Sequence, residues 1–295
     1  MDSEIALIAF PYQLEKLLSE IASQNNLQLI DAQPLSGGDI NQVFLLKCKQ
    51  GRFVVKLNNN TSKFPNMFVA EAAGLQLLKT SESFSIPEVV TTGTSENTSY
   101  LLMEYISVGK LRSDFWSLFA EKLATLHKTT QQNFGLDHDN YIGSLKQQNN
   151  ICISASEFYI TQRLEPQFKL ASNHKFHFKN LEILYKNISE EIPTEPPSLI
   201  HGDLWNGNFL ISEKGEAVLI DPAVAFASRE MDLAMMKLFG GFSEEVFYNY
   251  SAIFPLNEGW EKRVSLWQLY YLLVHLNIFG SGYLPQVNQI VNRFL

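Results

Sequence analysis

The sequence predicts an α+β chain in two parts: a strand-rich region over residues 1–106 and a longer, mainly helical region over 107–295. Three observations carry this expectation. Short apolar runs bounded by turn residues recur between Leu27 and Met103, the pattern of antiparallel strands. From Phe115 onward apolar residues return at helical spacing, interrupted by two short apolar runs, Phe209 to Ser212 and Ala217 to Ile220, that flank a turn. The length, 295 residues, suits about two domains on the usual prior of ~150 residues each.

Taken in order, Leu14, Leu17, Leu18 and Ile21 form one face of a first helix, which Pro11 opens. Leu27 to Ala32, Val43 to Leu46 and Arg52 to Leu57 read as strands, with a Gly37-Gly38 turn and a Gln50-Gly51 turn between them. Paired glycines let backbone N–H groups approach a phosphate, but alone they far more often make an ordinary hairpin turn. Lys56 closes the run Phe53-Val54-Val55. In the next helix, which Pro65 opens, Glu71 shares a face with Phe68, Leu75 and Leu78. A carboxylate on an apolar face needs a cation, and Lys56 is the nearest upstream. Glu88 to Thr92 and Tyr100 to Met103 are two further strands, and Met103-Glu104-Tyr105-Ile106 is the connector into the second region, where backbone groups could meet an adenine edge. Phe115, Phe119, Leu123 and Leu126 line a long helix ending at His127, which reads as a packed or capping residue. Phe134 to Asn150 reads as a polar loop, and Ser156 to Ala171 and Phe176 to Ser189 as helices.

Composition limits the function. Lys and Arg number 23 against 31 Asp and Glu, a net charge of −8 without a basic block, so the footprint of a general nucleic-acid binder is missing. Cys48 and Cys152 are far apart, which excludes the usual zinc spacings and a disulfide framework. The acidic start Met1-Asp2-Ser3-Glu4 is unlike a signal peptide, and no apolar run approaches the ~18 residues of a membrane span; a cytoplasmic protein is expected.

Function concentrates in His201-Gly202-Asp203-Leu204-Trp205-Asn206-Gly207-Asn208. Asp203 and Asn208 have the spacing of the kinase catalytic loop H-R-D-x-x-x-x-N, with Gly202 in the arginine's place. Pairing the two following runs about Glu213–Glu216 sets Phe209 opposite Ile220, and therefore Asn208 opposite Asp221. The expected roles are proton acceptance by Asp203, Mg²⁺ binding by Asn208 and Asp221, and phosphate binding by Lys56. His201 is expected to buttress the loop. Asp137, His138 and Asp139 are adjacent in sequence, so they cannot readily converge on one ion and read as a loop that touches substrate or caps structure.

With these residues in place, the chain resembles the fructosamine-3-kinase (ketosamine kinase) family, in the aminoglycoside-phosphotransferase-like branch of the protein-kinase-like fold. The resemblance covers nearly the whole chain: Gly37-Gly38-Asp39-Ile40-Asn41, Phe53 to Lys56, Met67 to Leu75, Leu102 to Tyr105, Gly135 to Gly143, Arg163 to Gln167, His201 to Asn208, Asp221-Pro222-Ala223, Arg229 to Ala234 and His275-Leu276-Asn277. The segment Asp137-His138-Asp139-Asn140-Tyr141-Ile142-Gly143 and the tryptophan after His-Gly-Asp-Leu are the distinctive parts. The resemblance implies a two-lobed fold with an antiparallel-sheet N-lobe, and ATP-dependent phosphorylation of a sugar hydroxyl on a fructosamine or ribulosamine. The unstable product then decomposes, repairing the amine, free or protein-bound. It further implies that Asp232 braces the catalytic loop, that Trp205 supports the sugar, and that His275 and Asn277 line the substrate pocket. Asp39 departs from the pattern, which has Ser or Cys there. A related kinase for aminoglycosides or amino alcohols, and an inactive nucleotide-binding module, are the competing readings.

Overall fold

The computed structural model describes residues 12–35, 41–59, 61–95 and 97–295. Gly37, Gly38 and Asp39 lie outside these. The chain divides into two compact units, one of residues 1–68 and 88–105, the other of residues 69–87 and 106–295.

The first unit holds helix α1 (Tyr12–Gln24) and strands β1 (Leu29–Pro34), β2 (Gln42–Cys48), β3 (Gly51–Asn58), β4 (Val89–Ser95) and β5 (Thr98–Glu104). They form an antiparallel five-stranded sheet in the order β1-β2-β3-β5-β4. Period-2 alternation explains the packing. Phe44 and Leu46 of β2, Val55 and Leu57 of β3, and Tyr100 and Leu102 of β5 share one face and close over Leu18 and Ile21 of α1. Lys56 belongs to the other face of the central strand, in register with Val43 and Leu101, and is buried.

Helix α2 (Met67–Lys79) starts in the first unit and continues in the second. The second unit then runs through α3 (Phe115–Lys128), β6 (Asn140–Ile142), β7 (Leu145–Gln147), α4 (Ala155–Phe158), a π-helical segment (Tyr159–Leu164), α5 (Glu165–Asn173) and α6 (Leu181–Glu191). It ends with β8 (Ser198–Ile200), β9 (Phe209–Ile211), β10 (Ala217–Leu219), β11 (Ala225–Ala227), α7 (Glu230–Phe239), α8 (Glu244–Ile253), α9 (Trp260–Phe279) and α10 (Leu284–Phe294). Helix α9 is buried on most sides between Leu266 and Asn277, as a central helix must be when neighbours cover it all round.

Two hydrophobic cores flank the β8–β11 ribbon. Ile200, Ala225 and Ala227 face the core around Trp267, Tyr270 and Leu273, whereas Leu199 and Phe226 face the core around Phe115, Phe119 and Leu123. The ribbon is thus locked on both faces, and the catalytic-loop sequence leaves from its end at His201.

Three local expectations are corrected. The stretch Phe134 to Asn150 is no irregular loop but contains the β6–β7 hairpin. The helix expected over Ser156 to Ala171 widens into a π segment just before Pro166, whose missing N–H cannot serve the carbonyl of Gln162; Arg163 Nη1 donates to that carbonyl instead, at 3.1 Å. Helix α6 begins at Leu181 rather than Phe176.

Candidate active site

The site is built from the loop that β8 releases. Asp232, in the first turn of α7, accepts the backbone N–H of His201 at 2.7 Å and that of Gly202 at 2.9 Å. A helix N-terminus favours a carboxylate there. Asp232 is wholly buried and also meets His127 Nε2 at 3.2 Å, while His127 Nδ1 meets the Tyr250 hydroxyl at 2.8 Å. His201 is equally buried; its Nε2 donates to the carbonyl of Ile220 at 2.9 Å and its Nδ1 accepts from the N–H of Asp203 at 3.3 Å. Burial holds this imidazole below its ordinary value, in keeping with a neutral ring that donates on one side and accepts on the other. Gly202 adopts φ +83°, and a Cβ there would come within 2.0 Å of the carbonyl oxygen of Ala223. The glycine in the arginine's place is therefore a packing requirement.

Two turns follow. The N–H of Trp205 bonds the carbonyl of Asp203 at 3.1 Å, and the N–H of Asn208 bonds the carbonyl of Trp205 at 3.0 Å. They bring Asn208 back over Asp203, so that its Nδ2 donates to the backbone oxygen of Asp203 at 2.8 Å and to Oδ2 at 2.9 Å. The Asp203 carboxyl is half-buried and pushed up to about 7, chiefly by desolvation. The hydrogen bond from Asn208 opposes that rise, and the charges of Asp221 and Asp232 add to it.

The expected register of the β9–β10 hairpin is corrected by one residue. Leu219 pairs with Phe209, and the N–H of Ile220 bonds the carbonyl of Asn208 at 3.0 Å, so Asn208 lies opposite Ile220 rather than Asp221. The turn is tighter than expected: Gly215, at φ +76°, allows Ser212 to pair with Glu216 and leaves only Glu213, Lys214 and Gly215 in the loop. A one-residue slip reverses which face each side chain takes. Asp221 follows the end of the pairing in a left-handed conformation, φ +55°. For a non-glycine residue that conformation costs about 1–2 kcal/mol and persists where the surroundings impose it, as at functional sites. The hairpin itself is pinned on one side by Val108 and Gly109 against Ser212 and Ile211, and on the other by Ser85 against Val218 and Leu219.

The donor set fits a hard cation. With Nδ2 of Asn208 committed to Asp203, its Oδ1 is the end left to ligate, and the remaining donors are carboxylate oxygens, the chemistry Mg²⁺ selects. Among the described residues no group of three or more His, Cys, Asp or Glu is placed to hold a metal, so the candidate here is an amide oxygen with carboxylate oxygens rather than a cluster of that kind. Asp137 instead pairs with His138, and Asp139 with Lys146 at 3.0 Å.

The other expected residues are placed as follows. Trp205 is 38% exposed, its ring lies over Gly207, and it meets Phe239 edge-on at 6.5 Å; Phe239 in turn packs on His275 at 4.8 Å. His275 Nδ1 donates to the carbonyl of Tyr271 at 2.7 Å, and burial lowers its pKa. Asn277 points the other way, donating to the backbone and side-chain oxygens of Gln167 at 3.0 and 2.9 Å. In the connector, the N–H of Glu104 is bound to the carbonyl of Glu88 at 2.8 Å and that of Tyr105 to the carbonyl of Arg52 at 3.4 Å, so those two groups are already engaged in the sheet. Residue Ile106 opens the second unit and Glu71 lies on α2.

Sequence reasoning did not single out Asn140, Gln147, Asn149 and Tyr270, all buried and all hydrogen-bonded beneath the Asp221–Val224 segment. The signal was present as polar residues at the inward positions of the Asn140–Gln147 stretch, but the adjacent acidic residues and histidine drew attention outward.

Known proteins place the family and the fold. A family model described as fructosamine kinase matches residues 12–295. A probable ketoamine kinase of Enterococcus faecium is 39% identical over 88% of this chain and 94% of its own. A chloroplastic protein-ribulosamine 3-kinase of Arabidopsis thaliana is 34% identical over 91% of this chain and 83% of its own. The crystal structure of a putative fructosamine-3-kinase from Haemophilus somnus superposes with a TM-score of 0.85 at 28% identity, covering 94% of this chain and 96% of that one. With its two units, five-stranded antiparallel sheet and helical second unit, the α+β fold is protein-kinase-like, and the chain belongs to the fructosamine kinase family.

Proposed function

We propose that this protein transfers the γ-phosphoryl group of ATP to a sugar hydroxyl of a ketosamine, of fructosamine or ribulosamine type, with Asp203 as the general base. The observation that carries the reading is the Asp203 carboxylate, raised toward neutrality and held by Asn208 in a loop that Asp232 fixes by two backbone hydrogen bonds. A base with a pKa near 7 is about half ionised at neutral pH, and its ionised form accepts the acceptor's proton as the oxygen attacks. Asn208 and Asp221 would hold Mg²⁺, which supplies charge neutralisation across the transferred phosphates. Lys56, supported by Glu71, would bind phosphate oxygens, with Gly37 and Gly38 in the phosphate-covering turn and Met103 to Ile106 beside the base of the nucleotide. Trp205 offers its exposed face to the sugar, and His275 borders the same aromatic cluster. Asn277, Asp137 and His138 are weaker substrate candidates, given the partners each already has.

Decomposition of the phosphorylated product would free the amine, so the reaction is a deglycation. A cytoplasmic setting is proposed from the two buried, unpaired cysteines; no helix among the described residues is long and apolar enough to cross a membrane.

The test is ADP release with Mg·ATP across ketosamines, free sugars, aminoglycosides and amino alcohols. Turnover is expected with ketosamines, and Asp203→Asn should lower it ~10²-fold or more while nucleotide binding persists. Turnover of amino alcohols or aminoglycosides alone would replace the acceptor, and nucleotide binding without turnover of any acceptor would leave a binding module.

A further inference from the structure

The distinctive Asp137–Gly143 segment works inward as well as outward. Asn140 Nδ2 donates to the carbonyl of Val224 at 2.8 Å, and Gln147 Nε2 donates to the carbonyl of Ala223 at 3.1 Å. These are the carbonyls two and three residues beyond Asp221. The two amides are tied together, Gln147 Nε2 donating to Asn140 Oδ1 at 2.8 Å, and Asn149 Nδ2 donates to the same Oδ1 at 3.0 Å. Behind them, Arg163 Nη2 donates to Asn149 Oδ1 at 2.8 Å and the Tyr270 hydroxyl donates to Gln147 Oε1 at 2.6 Å.

Every orientation in this network is dictated. Arg163 is a donor only, the carbonyls of Ala223 and Val224 are acceptors only, and each amide between them must present oxygen to one side and nitrogen to the other. Flipping Asn140 would set its oxygen against the carbonyl of Val224 and its nitrogen against the NH₂ groups of Gln147 and Asn149. The anchor is firm as well: the Arg163 guanidinium is buried, lies over the rings of Phe158 at 4.4 Å and Tyr270 at 5.6 Å, and is placed by the π segment ahead of Pro166. A satisfied buried network of this kind stiffens whatever it grips.

What it grips is the strand exit that carries Asp221. On its other side the same segment meets the catalytic loop, the N–H of Ala223 donating to the carbonyl of His201 at 2.9 Å and Gly202 pressing on the carbonyl of Ala223. Asp221 holds φ +55° and so depends on its neighbours to keep it there. We propose that Asn140 and Gln147, backed by Asn149, Arg163 and Tyr270, are positioning residues for the metal-binding Asp221: they hold residues 221–224 against the catalytic loop and set the affinity of the site for its divalent cation. The inference rests on the reading of Asn208 and Asp221 as the cation's ligands.

The experiment measures Mn²⁺ binding in the presence of ADP by electron paramagnetic resonance, alongside the Mg²⁺ dependence of turnover and thermal melting, for wild type, Asn140→Ala, Gln147→Ala, Gln147→Glu and Tyr270→Phe. Asn140→Ala and Gln147→Ala are expected to weaken Mn²⁺ binding about 5- to 20-fold and to raise the Mg²⁺ needed for half-maximal turnover similarly, with acceptor KM within about 2-fold, the size of losing one or two buried hydrogen bonds. Gln147→Glu keeps the acceptor for Tyr270 but loses both donated bonds, and should behave like Gln147→Ala. Tyr270→Phe, which removes a single hydroxyl at the far end and leaves the fold intact, should give about a 2- to 3-fold weakening and decides the matter where the other variants do not fold. Variants that melt earlier yet bind Mn²⁺ as wild type does would overturn the positioning role. A wild-type enzyme that binds no Mn²⁺ with ADP would overturn the metal site along with it, whereas normal Mn²⁺ binding without ketosamine turnover would count against the acceptor reading alone.

Discussion

Replacing Gly202 by alanine tests the packing of the catalytic loop at its tightest point. The new Cβ would stand 2.0 Å from the backbone oxygen of Ala223 and 2.7 Å from its carbonyl carbon, where ordinary contacts begin near 3.4 Å, so one of the two backbones must retreat by more than an ångström. Neither can do so without loss. On the loop side, retreat stretches the bonds from the N–H groups of His201 and Gly202 to Asp232; on the other, it stretches the bond from Ala223 to His201 and those to Asn140 and Gln147. Left-handed backbone costs an alanine about 1–2 kcal/mol. One or two buried hydrogen bonds broken without replacement add about 1–3 kcal/mol each. The sum is about 2–8 kcal/mol, read by urea denaturation as a lower midpoint with an unchanged slope. Turnover of the folded fraction should fall at least 10-fold, because Asp203 is the next residue. A Gly202→Ala protein within 1 kcal/mol of wild type and fully active would show that the two backbones do not meet as described.

Two further outcomes follow from the same groups. Asp232→Asn keeps the shape but removes one of two acceptors for the His201 and Gly202 N–H groups; it should cost about 2–4 kcal/mol and lower kcat more than nucleotide affinity, and a variant melting with wild type would refute the bracing role. His201 is held below its ordinary 6.5, so between that value and its folded one the unfolded chain binds a proton that the native state does not. Its contribution to stability is complete above pH 6.5 and drains away as pH falls; measured against His201→Gln, wild type should lose ground between pH 7 and pH 5, and parallel stability curves would exclude this source.

The legible part of the fold was whatever depends on local pattern. The short apolar runs Val43 to Leu46 and Arg52 to Leu57, bounded by turn residues, mark β2 and β3, and the i, i+4 spacing of Phe115 and Phe119 marks α3 because that helix buries one stripe. The candidate base was legible for a similar reason, since the turn linking Asp203 to Asn208 is local in sequence. The register of β9 with β10 was not. It hinges on whether Gly215 takes a left-handed conformation, and a glycine in a turn permits that without announcing it. The Asn140–Gln147 grip was hidden for another reason: its partners, the carbonyls of Ala223 and Val224, lie some eighty residues away and carry no side-chain signature. Pro166 falls inside the helix expected over Ser156 to Ala171, and nothing local shows that Arg163 repairs the break while also holding Asn149.

These parts are joined through one chain of hydrogen bonds. Asp232 fixes the N–H groups of the catalytic loop, Ala223 limits it from the carbonyl side, and Asn140 with Gln147 fixes Ala223 and Val224 in turn. A displacement at any one is therefore felt at the other two, and substitutions at Gly202, Asp232 and Gln147 should not add. If they share one rigid segment, the double variant Asp232→Asn/Gln147→Ala will lose less than the sum of the two single losses, by about 0.5–3 kcal/mol, because the first substitution has already released what the second would release. Strict additivity would mean two independent supports. The coupling would also account for the tolerance of a left-handed Asp221: its strain is opposed jointly, by contacts that a single local sequence could not supply.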